Sequence, residues 1–434
     1  MSNTPLRVVL IGAGSYVFGP AMLEQALLEH RLDGLELCLV DLDEELLGLL
    51  VQAAVRVAED AGVAATITAT TNRREALVGA DYVICAVSFQ TLSRFAKDQE
   101  VIAKYAPEHL ITDFGGVAGI SYTLRQGVLM QGIAEDIKAV CPEATLLSVS
   151  NPLPRLCQFT QTLGVNTVGL CSVSLNGYRM LAKLLDNDDV SYPFAPYRER
   201  WTIRAAGINH LSWLLEFYES ETGEDLLSQL GEALIKRGLP GQPLSTAVYR
   251  ETGFLPLAGD DHIRDFMKPH PEVGSMEHTS HGDAGARERR LELLKNVATR
   301  QSGYESLFTQ KSWERPFAII EALREQENPE THVLNLVNQG QVPGLPHGVF
   351  VETPCKVFRA GLEPQLSPLP DAVVPLTART AHVHDLVVQG MMTRSKSLLY
   401  QALELDPTVT DKKACVNALE GCLEAHSDIL PNYN

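Results

Sequence analysis

The chain has no Cys-x-x-Cys pair and no cysteine spacing of the disulfide-scaffold kind. Its eight cysteines (Cys38, Cys85, Cys141, Cys157, Cys171, Cys355, Cys415 and Cys422) are scattered, mostly through apolar stretches. They read as buried thiols in a reducing compartment, so a cytoplasmic setting is expected. The chain also lacks an apolar run long enough to cross a bilayer. Basic residues are few: 36 Lys and Arg stand against 54 Asp and Glu, a formal net charge of -18. That balance argues against nucleic acid and anionic membrane surfaces as partners. It leaves an anionic small molecule open, because a few local Arg or Lys side chains override an average. No secretory signal is expected either. Met1 to Pro5 is polar, and Leu6-Arg7-Val8-Val9-Leu10-Ile11 already reads as a buried strand.

What is present is ordinary for a globular protein: 45% hydrophobic and 21% charged residues over 434 positions, enough for two or three domains. The first part alternates short apolar runs with helical periodicity. Strands are predicted at 7–11, 35–40, 65–70, 82–87, 145–149 and 167–170. Helices are predicted between them at 20–30, 44–61, 91–105 and 121–140. Such alternation predicts a parallel sheet wrapped by helices on both faces. The second part is less regular. It offers a strand at 201–206, an apolar run at 211–218, and helices at 227–237, 284–300 and 377–405. Residues 253–271, rich in Gly, Pro, Asp and His, read as loop. The expected architecture is α/β, with an N-terminal Rossmann-type doubly wound sheet over 1–190. A C-terminal α+β domain over 191–434 would carry substrate, metal and oligomer contacts.

Gly12-Ala13-Gly14 follows a strand and precedes a helix. Two glycines there let the backbone turn and approach a pyrophosphate, while the helix N-terminus offers free N–H groups. The usual third glycine is missing, with Val17 and Phe18 in its place. Asp41 ends the second strand, where a carboxylate suits the ribose hydroxyls of NAD rather than the phosphate of NADP. The loop therefore implies a hydride-carrying nicotinamide cofactor.

A second signal is Gly169-Leu170-Cys171 with Gly207-Ile208-Asn209-His210. A thiolate and an imidazole, each placed just after a strand, can hold a divalent metal and leave coordination positions open. On residue types alone, a buried thiol and a core histidine is the plainer reading. The loop Ala258-Gly259-Asp260-Asp261-His262 gathers charge in an apolar neighbourhood, as either a general base or a solvated turn. His270, His278 and His281 form a looser cluster that reads as exposed. Among Arg264, Lys268, Arg287, Arg289 and Arg290, one or two could grip an anionic group on a substrate.

Together these residues resemble glycoside hydrolase family four, the NAD- and metal-dependent glycosidases. These include α-glucosidases, α-galactosidases, α-galacturonidases and 6-phospho-glycosidases. The resemblance spans nearly the whole chain. It is carried by Ile11-Gly12-Ala13-Gly14-Ser15 with Phe18, Val40-Asp41-Leu42-Asp43, Arg74 to Asp81, Asn151-Pro152, the Cys171 and His210 motifs, Pro256 to His262, and Val351-Glu352. The Cys plus Gly-Ile-Asn-His combination is the specific part, and it favours the metal reading. The resemblance implies Cys171 and His210 as ligands of Mn²⁺ or another divalent metal, and Gly12, Gly14, Ser15, Phe18 and Asp41 as the NAD site. It implies Asn151 between the nicotinamide and a substrate hydroxyl, and Asp260 as the base. It further implies a homodimer or homotetramer.

The chemistry implied is oxidation of the sugar at C3, deprotonation at C2, 1,2-elimination of the aglycone, water addition and re-reduction. Most glycosidases work instead with a pair of carboxylates, and NAD-dependent cleavage is an exception to that rule. The substrate would be an α-hexopyranoside, with a C6 uronide, phosphate or sulfonate left open. One position departs from the family: Ser172 follows the metal cysteine where many members carry His, Asp or Asn, and serine is a poor general acid. Two other readings remain at this point. One is a lactate/malate-type two-domain dehydrogenase of a 2-hydroxy acid or sugar. The other is a non-catalytic NAD sensor.

Overall fold

The computed structural model describes residues 5–15, 18–32, 34–271, 273, 285–309 and 311–434. Among them, eleven strands form one sheet. In chain order they are β1 (Leu6–Ile11), β2 (Leu35–Val40), β3 (Thr66–Thr70), β4 (Tyr82–Cys85), β5 (Thr145–Ser148), β6 (Thr167–Gly169), β7 (Trp201–Ile208), β8 (Leu211–Glu219), β9 (Glu330–Val337), β10 (Phe350–Phe358) and β11 (Gly361–Pro364). The first six are parallel, in the order β3-β2-β1-β4-β5-β6. This is the doubly wound order of a dinucleotide-binding sheet, as the alternation predicted.

The near-continuous apolar runs of β1 and β2 follow from cover on both faces. Leu6, Val8 and Leu10 of β1 join one core, with Leu46, Leu50, Ala53 and Val57 of the helix Glu44–Ala61. Val9 and Ile11 join the other, with Val117, Leu124 and Ile133 of the helix Gly116–Val140. That second helix is buried on almost every side through most of its length. A helix apolar all round needs a further layer. The layer comes from the far end of the chain. The helices Val374–Thr393, Lys396–Leu405 and Lys412–Ala425 bring Val387, Leu399, Leu419 and Cys422 into the same core. Residues beyond 374 thus complete the nucleotide half, which a division at residue 190 does not anticipate.

The sheet also runs without a break across that division. β6 pairs antiparallel with β9 at Gly169↔Asn335, and β10 pairs with β7 at Glu352↔Gly207. Periodicity did not reveal β9 and β10. Asn335, Glu352 and Pro354 interrupt their apolar patterns, and the first two are at home because of what they meet in the folded site. No helix among the described residues is long and apolar enough to cross a membrane.

Candidate active site

A single rung crosses the whole sheet: Thr70, Val40, Ile11, Cys85, Ser148, Gly169, Asn335, Glu352, Gly207 and Ser212 are successive register partners. The predicted site residues lie just past it. Gly12 follows Ile11, Asp41 follows Val40, and Asn151 and Cys171 come two or three residues after their strands. His210 sits in the turn between β7 and β8. The fold therefore gathers them along one edge, the carboxyl-end edge where open α/β sheets bind ligands.

The glycine loop is shaped for a phosphate. Gly12 has φ +85°, and a Cβ there would lie 2.4 Å from the Ala86 carbonyl oxygen. The Gly14 N–H donates to Asp41 Oδ2 at 2.9 Å, which ties the loop to the end of β2. Asp41 Oδ1 accepts from the N–H of Leu42 at 2.8 Å. Ser15 Oγ accepts from the Phe18 N–H at 3.2 Å and so caps the helix Phe18–Glu24. The Phe18 ring packs against the core beside β1. The fingerprint spacing showed no third glycine, yet Gly19 has that role. A Cβ on it would meet the Ala13 carbonyl oxygen at 2.4 Å, so only glycine lets helix and loop pack this closely. The signal was there, shifted by two positions from the usual spacing. Arg290 sits beside this glycine, and Arg287 pairs with Asp43 and Glu45. Both arginines therefore border the nucleotide loop and the end of β2.

Cys171 Sγ and His210 Nε2 are 3.5 Å apart and both residues are buried. Bonds of about 2.3 Å to sulfur and about 2.1 Å to imidazole nitrogen put two such donors roughly 3.1–3.6 Å apart at right to tetrahedral angles. The pair thus fits one divalent ion without rearrangement. The charges agree. Burial, with the Glu314 and Glu352 carboxylates, holds the Cys171 thiol well above its usual range, so only a strong local cation would keep it as thiolate. Burial, with the His262 charge, holds His210 well below the usual imidazole range, leaving it neutral with a lone pair to offer. His210 has φ +67°, a left-handed turn position costly for a side chain with a Cβ. No cluster of three or more His, Cys, Asp or Glu side chains that could hold a metal forms among the described residues.

The pair is held from behind. Asn209 Nδ2 donates to the Cys171 carbonyl at 2.9 Å and to Glu352 Oε2 at 3.0 Å. Asn335 Nδ2 donates to the same carbonyl at 3.1 Å. Glu352 is fully buried, and burial raises its pKa. Asn335 was missed in the sequence, although a lone Asn within Val333-Leu334-Asn335-Leu336-Val337 is the sort of break that marks it. Asn151 is half-buried and accepts from the Leu153 N–H through its side-chain oxygen at 3.3 Å.

The 253–271 loop behaves differently from expectation. Asp260 accepts from Leu244 N–H at 2.6 Å, Ser245 N–H at 2.7 Å and Ser245 Oγ–H at 2.6 Å. Its carboxylate is committed to the N-terminus of the helix Pro243–Thr252. Asp260→Ala should therefore lower stability, on the order of 3 kcal/mol for stranding these donors, read as a drop in unfolding temperature. An unchanged unfolding temperature with lost turnover would instead return Asp260 to the chemistry. It is His262 that faces the metal pair, its ring centroid 4.3 Å from that of His210. Burial opposes charging His262, but Asp261, whose Oδ1 is 3.0 Å from Nδ1, together with Asp265 and Asp113, outweighs it and raises the pKa. Phe114 closes the other side of His210 at 4.6 Å between centroids. Asp265 accepts from the N–H groups of Asp113 and Phe114, both at 3.1 Å, and burial with Asp113 pushes it up to about 7. His270 pairs with Glu251, while His278 and His281 lie outside the described residues. Ser172 turns away, its hydroxyl donating to the Val333 carbonyl at 2.8 Å.

Two family profiles match this chain. Family 4 glycosyl hydrolase covers residues 7–187, and the family 4 glycosyl hydrolase C-terminal domain covers 205–409. The chain belongs to family 4 of the glycosyl hydrolases. It is 25% identical over 443 residues to an alpha-galactosidase of Bacillus subtilis, covering 98% of this chain and 99% of that one. A solved 6-phospho-alpha-glucosidase from gut microorganisms, in complex with NAD and Mn²⁺, shares the fold at a TM-score of 0.81. It is 19% identical and covers 99% of this chain and 100% of its own. A malate dehydrogenase from Plasmodium falciparum reaches a TM-score of 0.54 at 16% identity, over 89% and 98%. The chain thus keeps a distant likeness to the dehydrogenase fold.

Proposed function

We propose that this glycosyl hydrolase cleaves α-hexopyranosides with NAD⁺ and a divalent metal, Mn²⁺ first among them. The observation that carries the reading is the Cys171–His210 pair, spaced for one ion, on the same sheet edge as a glycine loop closed by Asp41. The α preference rests on the names of the curated relatives, which include an alpha-galactosidase, an alpha-glucosidase and an alpha-galacturonidase beside a 6-phospho-beta-glucosidase. When bound, NAD⁺ would supply a reversible hydride acceptor for the sugar, and a divalent ion a Lewis acid that favours removal of the C2 proton and 1,2-elimination of the aglycone.

This chain's residues prepare that chemistry. The missing Cβ atoms at Gly12, Gly14 and Gly19 let the loop and the start of the following helix lie close enough together to receive a pyrophosphate, and Asp41 receives ribose hydroxyls. Cys171 and His210 hold the ion, while Asn209, Asn335 and Glu352 fix the backbone that carries Cys171. Asn151 offers its amide N–H₂ to a sugar hydroxyl. His262, beside Asp261 and facing His210, accepts the C2 proton in its uncharged form. Ser172, turned to β9, takes no part in protonating the leaving group.

Deuterium at C2 tests the sequence of events. A C2-deuterated glycoside should react more slowly or lose its label to solvent, and His262→Gln should suppress that exchange while metal content stays at wild-type level. Turnover with neither an isotope effect nor washout would rule out elimination.

A further inference from the structure

Packing, and not a hydrogen bond from behind, holds the ring of His210. A metal-bound imidazole usually gives its second nitrogen to a carboxylate or carbonyl, which fixes the plane of the ring. Here Cys171 is the only hydrogen-bond partner of the His210 ring among the described residues. Phe114 lies on one side of it at 4.6 Å between centroids, and His262 on the other at 4.3 Å. The backbone at His210, with φ +67°, is also a position that persists only where its surroundings hold it. Whatever fixes these two walls therefore fixes the imidazole.

One carboxylate joins the walls. Asp265 belongs to the turn Arg264–Phe266, which continues the short helix Asp260–Ile263 that carries His262. Its Oδ2 accepts from the N–H groups of Asp113 and Phe114, both at 3.1 Å. The two backbones meet closely beside this contact, since a Cβ on Gly115 would run into the Asp265 carbonyl oxygen. The Phe266 ring follows, 5.9 Å from that of Phe114. From the far side, Arg155 donates to the Phe114 carbonyl at 2.6 Å and to the Gly119 carbonyl at 3.2 Å. Phe114 is thus pinned at its N–H by Asp265 and at its carbonyl by Arg155. We propose that Asp265 is a positioning residue of the metal centre: by holding the Asp113–Phe114 turn against the segment that carries His262, it sets the gap in which the His210 imidazole meets the ion. The inference rests on the reading of Cys171 and His210 as metal ligands. It complements the Asn209, Asn335 and Glu352 set, which holds the Cys171 side.

Co²⁺ reads the site without turnover. Its visible absorption reports the geometry around the ion, and its near-ultraviolet band reports the bond to sulfur. Full-length protein, freed of metal under reducing conditions, is titrated with Co²⁺, and wild type should show both signals. Asp265→Ala should weaken Co²⁺ binding by about tenfold or more and shift the visible bands at saturation. Asp265→Asn keeps an oxygen that accepts both N–H groups, so it should stay within about threefold of wild type with an unchanged spectrum. Phe114→Leu removes one wall and leaves the carboxylate. It should reproduce the loss seen in Asp265→Ala, and it carries the test should Asp265→Ala fail to fold. NAD⁺ affinity by calorimetry should stay within about twofold of wild type in all three variants. Wild-type Co²⁺ affinity and spectrum in Asp265→Ala or Phe114→Leu would overturn the proposal, whatever happens to the unfolding temperature. So would an equal loss in Asp265→Asn, which would make the charge and not the accepted bonds the active feature, or a parallel loss of NAD⁺ affinity, the mark of general disruption. A wild-type protein that binds no Co²⁺ would overturn the metal reading and this proposal with it, and that failure shows before any substitution is made.

Discussion

Replacing Cys171 with serine should cut glycoside cleavage by roughly 10³-fold or more, because the several kcal/mol that a Lewis acid contributes to the transition state goes with the ion. The expected pattern is specific. Metal content falls, NAD⁺ binding is retained, and the unfolding temperature stays close to wild type. The retained fold follows from the geometry. The packing around residue 171 is anchored through its backbone carbonyl, which Asn209 and Asn335 hold whatever the side chain is. Serine also removes a thiol that burial and two carboxylates keep protonated in the absence of a cation. Full turnover in Cys171→Ser would sink the metal assignment, and with it the role given to His210.

Gly12→Ala should weaken NAD⁺ binding by about 100-fold or more, close to 3 kcal/mol. Two costs combine. The residue sits at φ +85°, which a side chain with a Cβ adopts only at a penalty. The added Cβ would also stand 2.4 Å from the carbonyl oxygen of Ala86, whose own N–H is bonded to the Ile11 carbonyl at the end of β1. Loop and strand end must move apart, and the phosphate cradle goes with them. Titration calorimetry with NAD⁺ is the check, with circular dichroism to confirm the fold. Wild-type affinity in a folded Gly12→Ala protein would mean that the loop is a turn and nothing more.

How much of this was readable in the chain depends on where the information resides. The parallel half was legible because buried parallel strands and the helices over them write long, regular apolar patterns. The helices 44–61 and 91–105 and strand 35–40 fall where periodicity put them. Asp41, Asn151, Cys171 and His210 stood out because they follow strand ends, which the sequence marks with Gly, Asn and Pro, and the fold brings them to one edge of the sheet. What stayed hidden is what only tertiary contact creates. β9 and β10 carry Asn335 and Glu352 because those polar side chains face the Cys171 backbone and Asn209, and no local pattern encodes that. The third glycine was overlooked because the loop is two residues longer than the common fingerprint. Asp260 stood out because a carboxylate in an apolar loop suits a base and a cap alike, and the bonds to Leu244 and Ser245 show that it caps the helix Pro243–Thr252. His262 shows the converse. Its neighbour in sequence drew the attention, while the ring contact with His210 is made across more than fifty residues.

Whether NAD⁺ and metal act together in glycoside cleavage is decided by a panel of para-nitrophenyl hexosides. It spans α and β gluco- and galacto- forms and C6 uronide, phospho and sulfo sugars, assayed with NAD⁺ and Mn²⁺ under reducing conditions, with nitrophenol and NADH followed together. The expected result is nitrophenol release with an α-glycoside that stops when either NAD⁺ or metal is withheld, and no net NADH at the end of the reaction. Accumulation of NADH in step with substrate consumption, or cleavage indifferent to chelator, would contradict it.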